Sequence, residues 1–579
     1  MSVKDGGVAG YCDGVKSGEA YGWAWRPDYP DKSVDIELWI DGGLVGQTTA
    51  SLYRPDLRAA GVGHGRYGWR LPIPANPTPG RSQKVVARIK DGDPLTDGIF
   101  DYSNEPLSGD LENPEFQAFV AAALGRIGAP GADEPEEPAP PINFLLYSAG
   151  SPTLGAAEYS YGFVLKAFRP LLERLGRVHL IEDPLAEADA LHAAHIANGE
   201  TSLLLSFAPP HRTPLGLRCP TVPVIAWEYP TIPDRVWDED RRHDWRFVLR
   251  QTGRAITLSR FAADAVRAAM GADFPVAAIP APVWDRFPDL RTLGAPQTGA
   301  ETAGAESVGA EISVKGFIFD TRGRTFAPGA PTPPLPLVPD DGEPELPPRA
   351  MLDGTVFTAV FSPKDGRKNW PDILWSFVTA HRETPQATLV LKMVGADAGL
   401  WWWELHDALG KLPDFACRVV VVQGYMDQAQ YNGLVAASHW VANTSHAEGL
   451  CLPLLEFMSA GRPAVAPAHT AMADYVDASN ALVLESDEEF CSWPHDPRMA
   501  FTATRHRLSW PSLIAAFGEA YRLTREEPER YAALCAGARS SMARYCADDV
   551  VAARLDGFLG LSLGLGPAVS PLEIVDAAA

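Results

Sequence analysis

Twice along the chain, short apolar runs alternate with segments whose apolar positions recur at helical spacing, and this alternation constrains the fold more tightly than any other feature. In the first block NFLLYSAG, VHLIED, TSLLLSFAP and TVPVIAWEY read as strands, and GAAEYSYGFVLKAFRPLLERLG and SRFAADAVRAAMGA as helices, the second capped by Ser259. The second block starts at Thr355: VFTAVFS, ATLVLKMVG, RVVVVQG, HWVANTS and PAVAP read as strands, with WPDILWSFVTAH, DQAQYNGLVAAS and LLEFMSAG as helices between them. Such alternation builds parallel sheets covered on both faces. The predicted fold class is α/β: two doubly wound, Rossmann-like domains facing a cleft at the carboxyl ends of their strands.

The rest of the chain is organised around these blocks. Residues 1–110 alternate apolar and polar positions between turn signals, as in VDIELWIDGGLVGQTTA and KVVARIKDGD, where Asp41-Gly42 and Asp91-Gly92 suit hairpins. They are predicted to form a small all-β sandwich, whose Trp23, Trp25, Trp39, Tyr67 and Trp69 either stack on sugar rings or fill the core. Residues 111–141 are a Pro/Glu-rich linker, too polar to bury a core. The two α/β domains are placed at 142–290 and 356–515, separated by a low-complexity insertion at 291–355 that is predicted to be mobile around a possible hairpin strand, VKGFIFDT. Amphipathic helices and a tail take residues 516–579.

A chain of 579 residues exceeds what one core supports, in keeping with several domains. With 50 Lys plus Arg against 73 Asp plus Glu, the formal charge of -23 disfavours nucleic acid or an anionic bilayer as the main partner. No window approaches a membrane span, and MSVKDGGVAGYCDG lacks a signal peptide's apolar core, so a cytoplasmic protein with at most peripheral membrane contact is expected. The seven cysteines are scattered without a C-x-x-C pair and read as reduced thiols.

Two motifs in the second block carry chemistry. In NTSHAEGLCLPLLEFMSAGRPAVAPAHT, Glu448 and Glu456 are separated by seven residues, Gly449 follows the first, and Pro453 suits the first turn of a helix containing the second. The amides around Gly449, Leu450 and Cys451, with the positive end of that helix, make an anion site suited to a pyrophosphate. Glu456, expected about two residues into the helix, is placed to accept from ribose hydroxyls, and Glu448 from those of a transferred sugar. In FSPKDGRKNWPDILWSF, Arg367 and Lys368 are expected to open a helix, a position the helix dipole disfavours for cations unless they are used. No P-loop, G-x-S-x-G or H-E-x-x-H is present, and the D-x-D pairs Asp91/Asp93 and Asp238/Asp240 sit in turn or charged contexts.

The strand ending at Asn443, the small polar turn with Ser445, E-G-L-x-L-P, the second Glu and M-S-A-G-R-P resemble the Glu-seven-Glu motif of retaining GT-B glycosyltransferases, the glycogen-synthase-like group (glycosyl transferases group 1, family 4). The R-K-N segment is similar to that family's diphosphate-contacting segment, with Lys368 as its phosphate lysine. The resemblance implies a metal-independent hexosyltransferase with Glu448 and Lys368 catalytic. Arg367, Ser445, Gly449, Leu450 and Glu456 would bind substrate, with base contacts near Gly424 and Tyr425 largely through backbone. No cofactor is implied, the nucleotide-diphosphate sugar being a substrate, and the acceptor would be a glycan or lipid-linked glycan. Residues 142–560, apart from the insertion, carry the likeness. GSPTLGAAEYS resembles the family's glycine loop through Gly155 and Glu158, and AWEYPTIP an acceptor-lining stretch through Glu228, although a plain strand-to-helix turn and strand-end packing explain them equally. The chain departs from the pattern where Ser362 and Pro363 stand at the place of a further arginine, with Lys364 a candidate substitute. The β-rich first domain loosely resembles an accessory module of bacterial polysaccharide-assembly enzymes. A sugar-binding scaffold of the same fold and a GT-B epimerase are the alternatives; a phosphorylase lacks an evident lysine for a pyridoxal Schiff base.

Overall fold

The structure, a computed structural model, describes residues 8–54 (except 17, 18, 28, 30 and 31), 57, 62–73 (except 64), 83–102 (except 91), 142–148, 160–292 (except 238), 310–329, 332–333, 348–394 and 399–560 (except 495). The chain divides into two compact units, residues 1–138 and 139–579. The predicted linker at 111–141 lies outside the described residues.

The first unit is built of strands β1 (Ala9–Lys16), β2 (Glu19–Trp25), β3 (Val34–Ile40), β4 (Gly43–Ala50), β5 (Leu52–Tyr53), β6 (Arg66–Pro72), β7 (Gln83–Ile89) and β8 (Pro94–Tyr102). Asp41 and Gly42 both take positive φ, 48° and 85°, the geometry of the tight hairpin expected between β3 and β4. In place of two separate sheets, the strands hydrogen-bond in one order, β4-β3-β7-β8-β1-β2-β6-β5, with the two halves meeting where parallel β1 and β8 bring Tyr11 opposite Thr96. Alternate residues from both halves, including Cys12, Ala20, Ile36, Leu38, Trp69, Val85 and Leu95, share one core. Trp23, Tyr67 and Trp69 are buried, and the Arg88 guanidinium lies 4.3 Å from the Trp39 ring centre, so core packing accounts for three of the five candidate aromatics and Arg88 covers one face of a fourth.

In the second unit β9 (Ile142–Ser148), β10 (Arg177–Leu180), β11 (Thr201–Phe207), β12 (Thr221–Ile225), β13 (Ala255–Thr257) and β14 (Val276–Ala278) form a wholly parallel sheet in the order β10-β9-β11-β12-β13-β14. Successive residues of β9 pack on opposite faces, Phe144 and Leu146 with Val164 and Phe168, Leu145 with Ile181 and Ala188. Ser259 caps the helix Arg260–Met270 as expected, its Oγ accepting from the Ala262 amide at 3.2 Å.

β15 (Ala310–Ser313) and β17 (Arg349–Leu352) pair antiparallel on either side of the first strand of the second sheet, which is made of β16 (Lys315–Asp320), β18 (Thr355–Phe361), β19 (Ala387–Met393), β20 (Arg418–Tyr425), β21 (Trp440–Ala442), β22 (Ala464–Pro467) and β23 (Ala481–Leu484). Their order is β16-β20-β19-β18-β21-β22-β23, parallel except for β16. The described part of the predicted insertion is therefore anchored: β16 is an edge strand with Phe317 and Phe319 packed on Trp401 and Trp402, and this buried aromatic area corrects the expectation of a mobile segment there. Val390, Val420 and Val422 face helices Gln428–Ala437 and Leu452–Ser459, while Leu389, Leu391 and Met393 face helices Trp370–Ala380, Gly399–Gly410 and Trp510–Glu526. A hairpin of β24 (Ser486–Cys491) and β25 (Ala503–Leu508) follows.

Helix Pro528–Cys546 then returns to the first half, where the Val283 amide donates to the Cys546 carbonyl at 3.2 Å. Helix Asp548–Leu559 packs beside helix Ser160–Leu175, with Arg174 paired to Asp548 at 2.5 Å. All seven cysteines are buried and unpaired. Among the described residues no helix is long and apolar enough to cross a membrane.

Candidate functional site

From β18 the second sheet grows in one direction through β19 and β20 and in the other through β21 to β23, so β18 and β21 flank a topological switch point. Loops leaving neighbouring strands there diverge to opposite faces and open a crevice where α/β sheets take their ligands. Both sequence motifs begin in these two loops, 362–369 after β18 and 443–451 after β21.

Asp365 starts the first loop's single turn, Gly366–Lys368, by accepting from the Arg367 amide at 3.2 Å. Asn369 then takes a left-handed conformation, φ 48°, before helix Trp370–Ala380 begins. The two cations therefore occupy a separate turn and do not open the helix, which corrects the expected dipole conflict. Lys368 Nζ donates to both carboxylate oxygens of Glu448, at 2.7 and 2.8 Å.

Glu448 is only 3% exposed. It also accepts from Ser445 Oγ at 2.6 Å and Asn443 Nδ2 at 3.4 Å, and its own amide donates to Thr470 Oγ1 at 3.1 Å. Burial pushes the carboxyl up, but Lys368 and Arg367 outweigh it and hold Glu448 below the ordinary carboxylate range. An ionised carboxylate this deep persists only because its partners are in place.

Past Glu448 the chain offers donors without takers. Among the described residues, the amides of Gly449, Leu450 and Cys451 have no protein acceptor. Cys451 is left-handed, φ 63°, and leads into helix Leu452–Ser459 with Pro453 at its second position. The motif thus concentrates unsatisfied donors and the positive end of a helix beside a lysine, an arrangement suited to an anion. Gly449 is required sterically, since a Cβ there would stand 2.8 Å from the Trp227 amide of the first half.

Glu456 is the fifth residue of its helix, deeper than expected, and still faces the first half: Arg286 Nη1 donates to one oxygen at 3.1 Å and Tyr431 Oη to the other at 2.7 Å. Burial raises its carboxyl despite Arg286. Glu228, just past the carboxyl end of β12, pairs with Arg367 at 2.6 Å, and Arg367 also holds Asp365 at 2.8 Å. Burial raises Glu228 beyond what Arg367 offsets. The structure thus brings Glu448, Lys368, Arg367, Ser445, Gly449 and Glu228 into one group, places Leu450 in its wall with its carbonyl accepting from Tyr475 Oη at 2.8 Å, and sets Glu456 farther along the helix. Gly155 and Glu158 lie outside the described residues.

Sequence reasoning missed Arg286, Tyr431, Asn443 and Thr470. Asn443 at its strand end was within reach of the motif, whereas Arg286 meets Glu456 across 170 positions of chain and leaves no local signal.

No protein-family model matches the chain, and none of the curated proteins matches it. Solved structures similar to it include sucrose-phosphate synthase from Thermosynechococcus elongatus, with a TM-score of 0.43 and 14% identity over 72% of this chain and 98% of that one. Anabaena HepE in complex with UDP-glucose aligns with a TM-score of 0.41 and 14% identity over 72% of this chain and 99% of that one. The pneumococcal O-GlcNAc transferase GtfA in complex with UDP and GlcNAc aligns with a TM-score of 0.36 and 10% identity over 64% of this chain, which spans 59% of that one.

Proposed function

We propose that this chain is a retaining, metal-independent GT-B glycosyltransferase that moves a hexose-type sugar from a nucleotide-diphosphate donor to a glycan or lipid-linked acceptor in bacterial surface polysaccharide assembly. The observation that carries the reading is the run of acceptor-free amides at Gly449, Leu450 and Cys451, next to Lys368 and Glu448 at the switch point of the second sheet. A diphosphate satisfies those donors and takes the lysine's charge, while Glu448 turns to the sugar hydroxyls and Glu456 to the ribose.

In the reaction the bond from the anomeric carbon to the diphosphate oxygen breaks and its electron pair leaves with the diphosphate. The acceptor oxygen forms its bond on the same face and passes its proton to the departing phosphate oxygen. Charge develops on the leaving group, so Lys368, Arg367 and the loop amides act by preorganised electrostatics. Contact of Gly449 with the Trp227 backbone brings the halves together over the reacting atoms and excludes water.

A scaffold that binds sugar without turnover is favoured by one observation: Arg367 is held by Glu228 and Asp365, and Ser362 and Pro363 supply no second arginine. Incubation with a panel of nucleotide sugars separates the readings. Release of nucleoside diphosphate that vanishes in Glu448→Ala supports the transferase; glycan binding without release supports the scaffold, and sugar interconversion on the intact donor an epimerase.

A further inference from the structure

Lys392, near the carboxyl end of β19, is a buried cation that the proposed chemistry does not use. It is 4% exposed and donates to the carbonyls of Met393 at 3.1 Å and Gly424 at 2.6 Å. An ammonium has three N–H bonds, and among the described residues the third has no acceptor and no carboxylate pairs with it. Burial alone lowers this amine to about 8, so the site holds a proton at neutral pH without a counter-ion.

Its place in the sheet gives that donor a direction. Side chains alternate along a strand, so Lys392 shares the face of Val390, which packs toward helices Gln428–Ala437 and Leu452–Ser459. Tyr431 and Glu456 come from those same helices. On the proposed reading the diphosphate lies at the loop after β21 and the ribose meets Glu456, whose partner Tyr431 stands on the helix after β20, and this directs the base end toward β19 and β20. In sheets of this strand order the end of the second strand lies beside a bound nucleotide's sugar. Gly424 is fixed for another reason, since a Cβ there would stand 2.1 Å from the Lys315 carbonyl of β16, and its own carbonyl is spent on Lys392.

We propose that Lys392 reads the nucleobase, selecting donors with a carbonyl oxygen at the pyrimidine 4-position or purine 6-position (uracil, thymine, guanine) over those with an amino group there (cytosine, adenine). The carbonyl accepts the third N–H, whereas an amino group turns its own N–H bonds toward the ammonium and leaves both sides unpaired. This assignment rests on the proposed glycosyltransferase reading.

Isothermal titration of the full chain with UDP, GDP, CDP and ADP, and with inorganic pyrophosphate as a probe of the diphosphate site alone, tests it. UDP or GDP is expected to bind at least about tenfold more tightly than CDP and ADP. In Lys392→Met that preference should collapse while pyrophosphate affinity stays unchanged, which also certifies the fold of the variant. A wild-type preference for CDP or ADP, equal binding of all four, or a preference that survives in Lys392→Met overturns the assignment and leaves the transferase reading standing. Failure of the wild type to bind any nucleotide or pyrophosphate overturns both.

Discussion

The two parallel sheets of the second unit follow the same construction rule yet carry opposite loads at their carboxyl ends. The second sheet places two cations, a buried carboxylate and acceptor-free amides on the two loops at its switch point. The first presents Glu228 and, behind it, a packed group in which the Trp227 and Trp245 ring centres lie 4.5 Å apart. The charges around the free amides are gathered on one wall, and the other supplies Glu228, Arg286 against Glu456, and apolar bulk. The strand orders differ, but both sheets are doubly wound, so where a ligand's charge goes is set by loop chemistry and not by that shared architecture.

The comparison can be broken most directly at Lys368. Lys368→Ala is expected to lower turnover roughly 10²- to 10³-fold, the usual loss for one preorganised donor. Because it strands the buried Glu448 carboxylate, it should also destabilise the unit by about 3–5 kcal/mol, a cost the second change in Lys368→Met/Glu448→Gln largely removes. Chemical denaturation of both variants checks this; equal stability would mean that the pair is solvated. Next in size, Gly449→Ala pushes a methyl into the Trp227 amide and should cut turnover about tenfold with donor affinity less affected, since closure and not the diphosphate grip is obstructed. Steady-state kinetics with separate KM and kcat values decide it.

On the other wall, Glu228→Gln loosens Arg367. Nucleoside diphosphate affinity should rise a few-fold, roughly 0.5–1 kcal/mol by calorimetry, and a fall would place Glu228 among the donor ligands. A separate readout of the buried histidines is stability against pH. Burial depresses His381 to about 4 and His439 and His469 each to about 3. Folded histidines that stay neutral bind fewer protons than unfolded ones near 6.5. Stability from these groups is therefore present above pH 6.5 and declines as pH falls toward 4, by about 1.4 kcal/mol per histidine per pH unit. A melting temperature that stays flat between pH 7 and 5 contradicts it.

Much of this was legible from sequence because it is local. VFTAVFS became β18 at Thr355–Phe361, and the E-G-L-x-L-P block became the loop and helix start that carry the free amides. Helix Gly399–Gly410 was not read, since its Trp401 and Trp402 are packed by β16, a segment that the sequence offered only as a possible hairpin strand inside a low-complexity insertion. Hairpin β24–β25 went unread for a related reason: Asp487, Glu488, Arg505 and Arg507 hide its pairing, and its anchoring contact, Thr231 Oγ1 to the Thr502 carbonyl at 2.7 Å, spans 271 positions. Depth along a helix was misjudged for Glu456 because the left-handed Cys451 delays the first turn.

The path of the final helices has a consequence for synthesis. Residues 548–559 pack beside residues 160–175, so a ribosome releases the amino-side sheet long before the segment that closes it exists. During that interval the nascent chain must finish the carboxyl-side sheet first, and the earlier sheet waits with an uncovered apolar flank. Separate expression of either sheet by a single cut of the gene would therefore orphan a piece of the other.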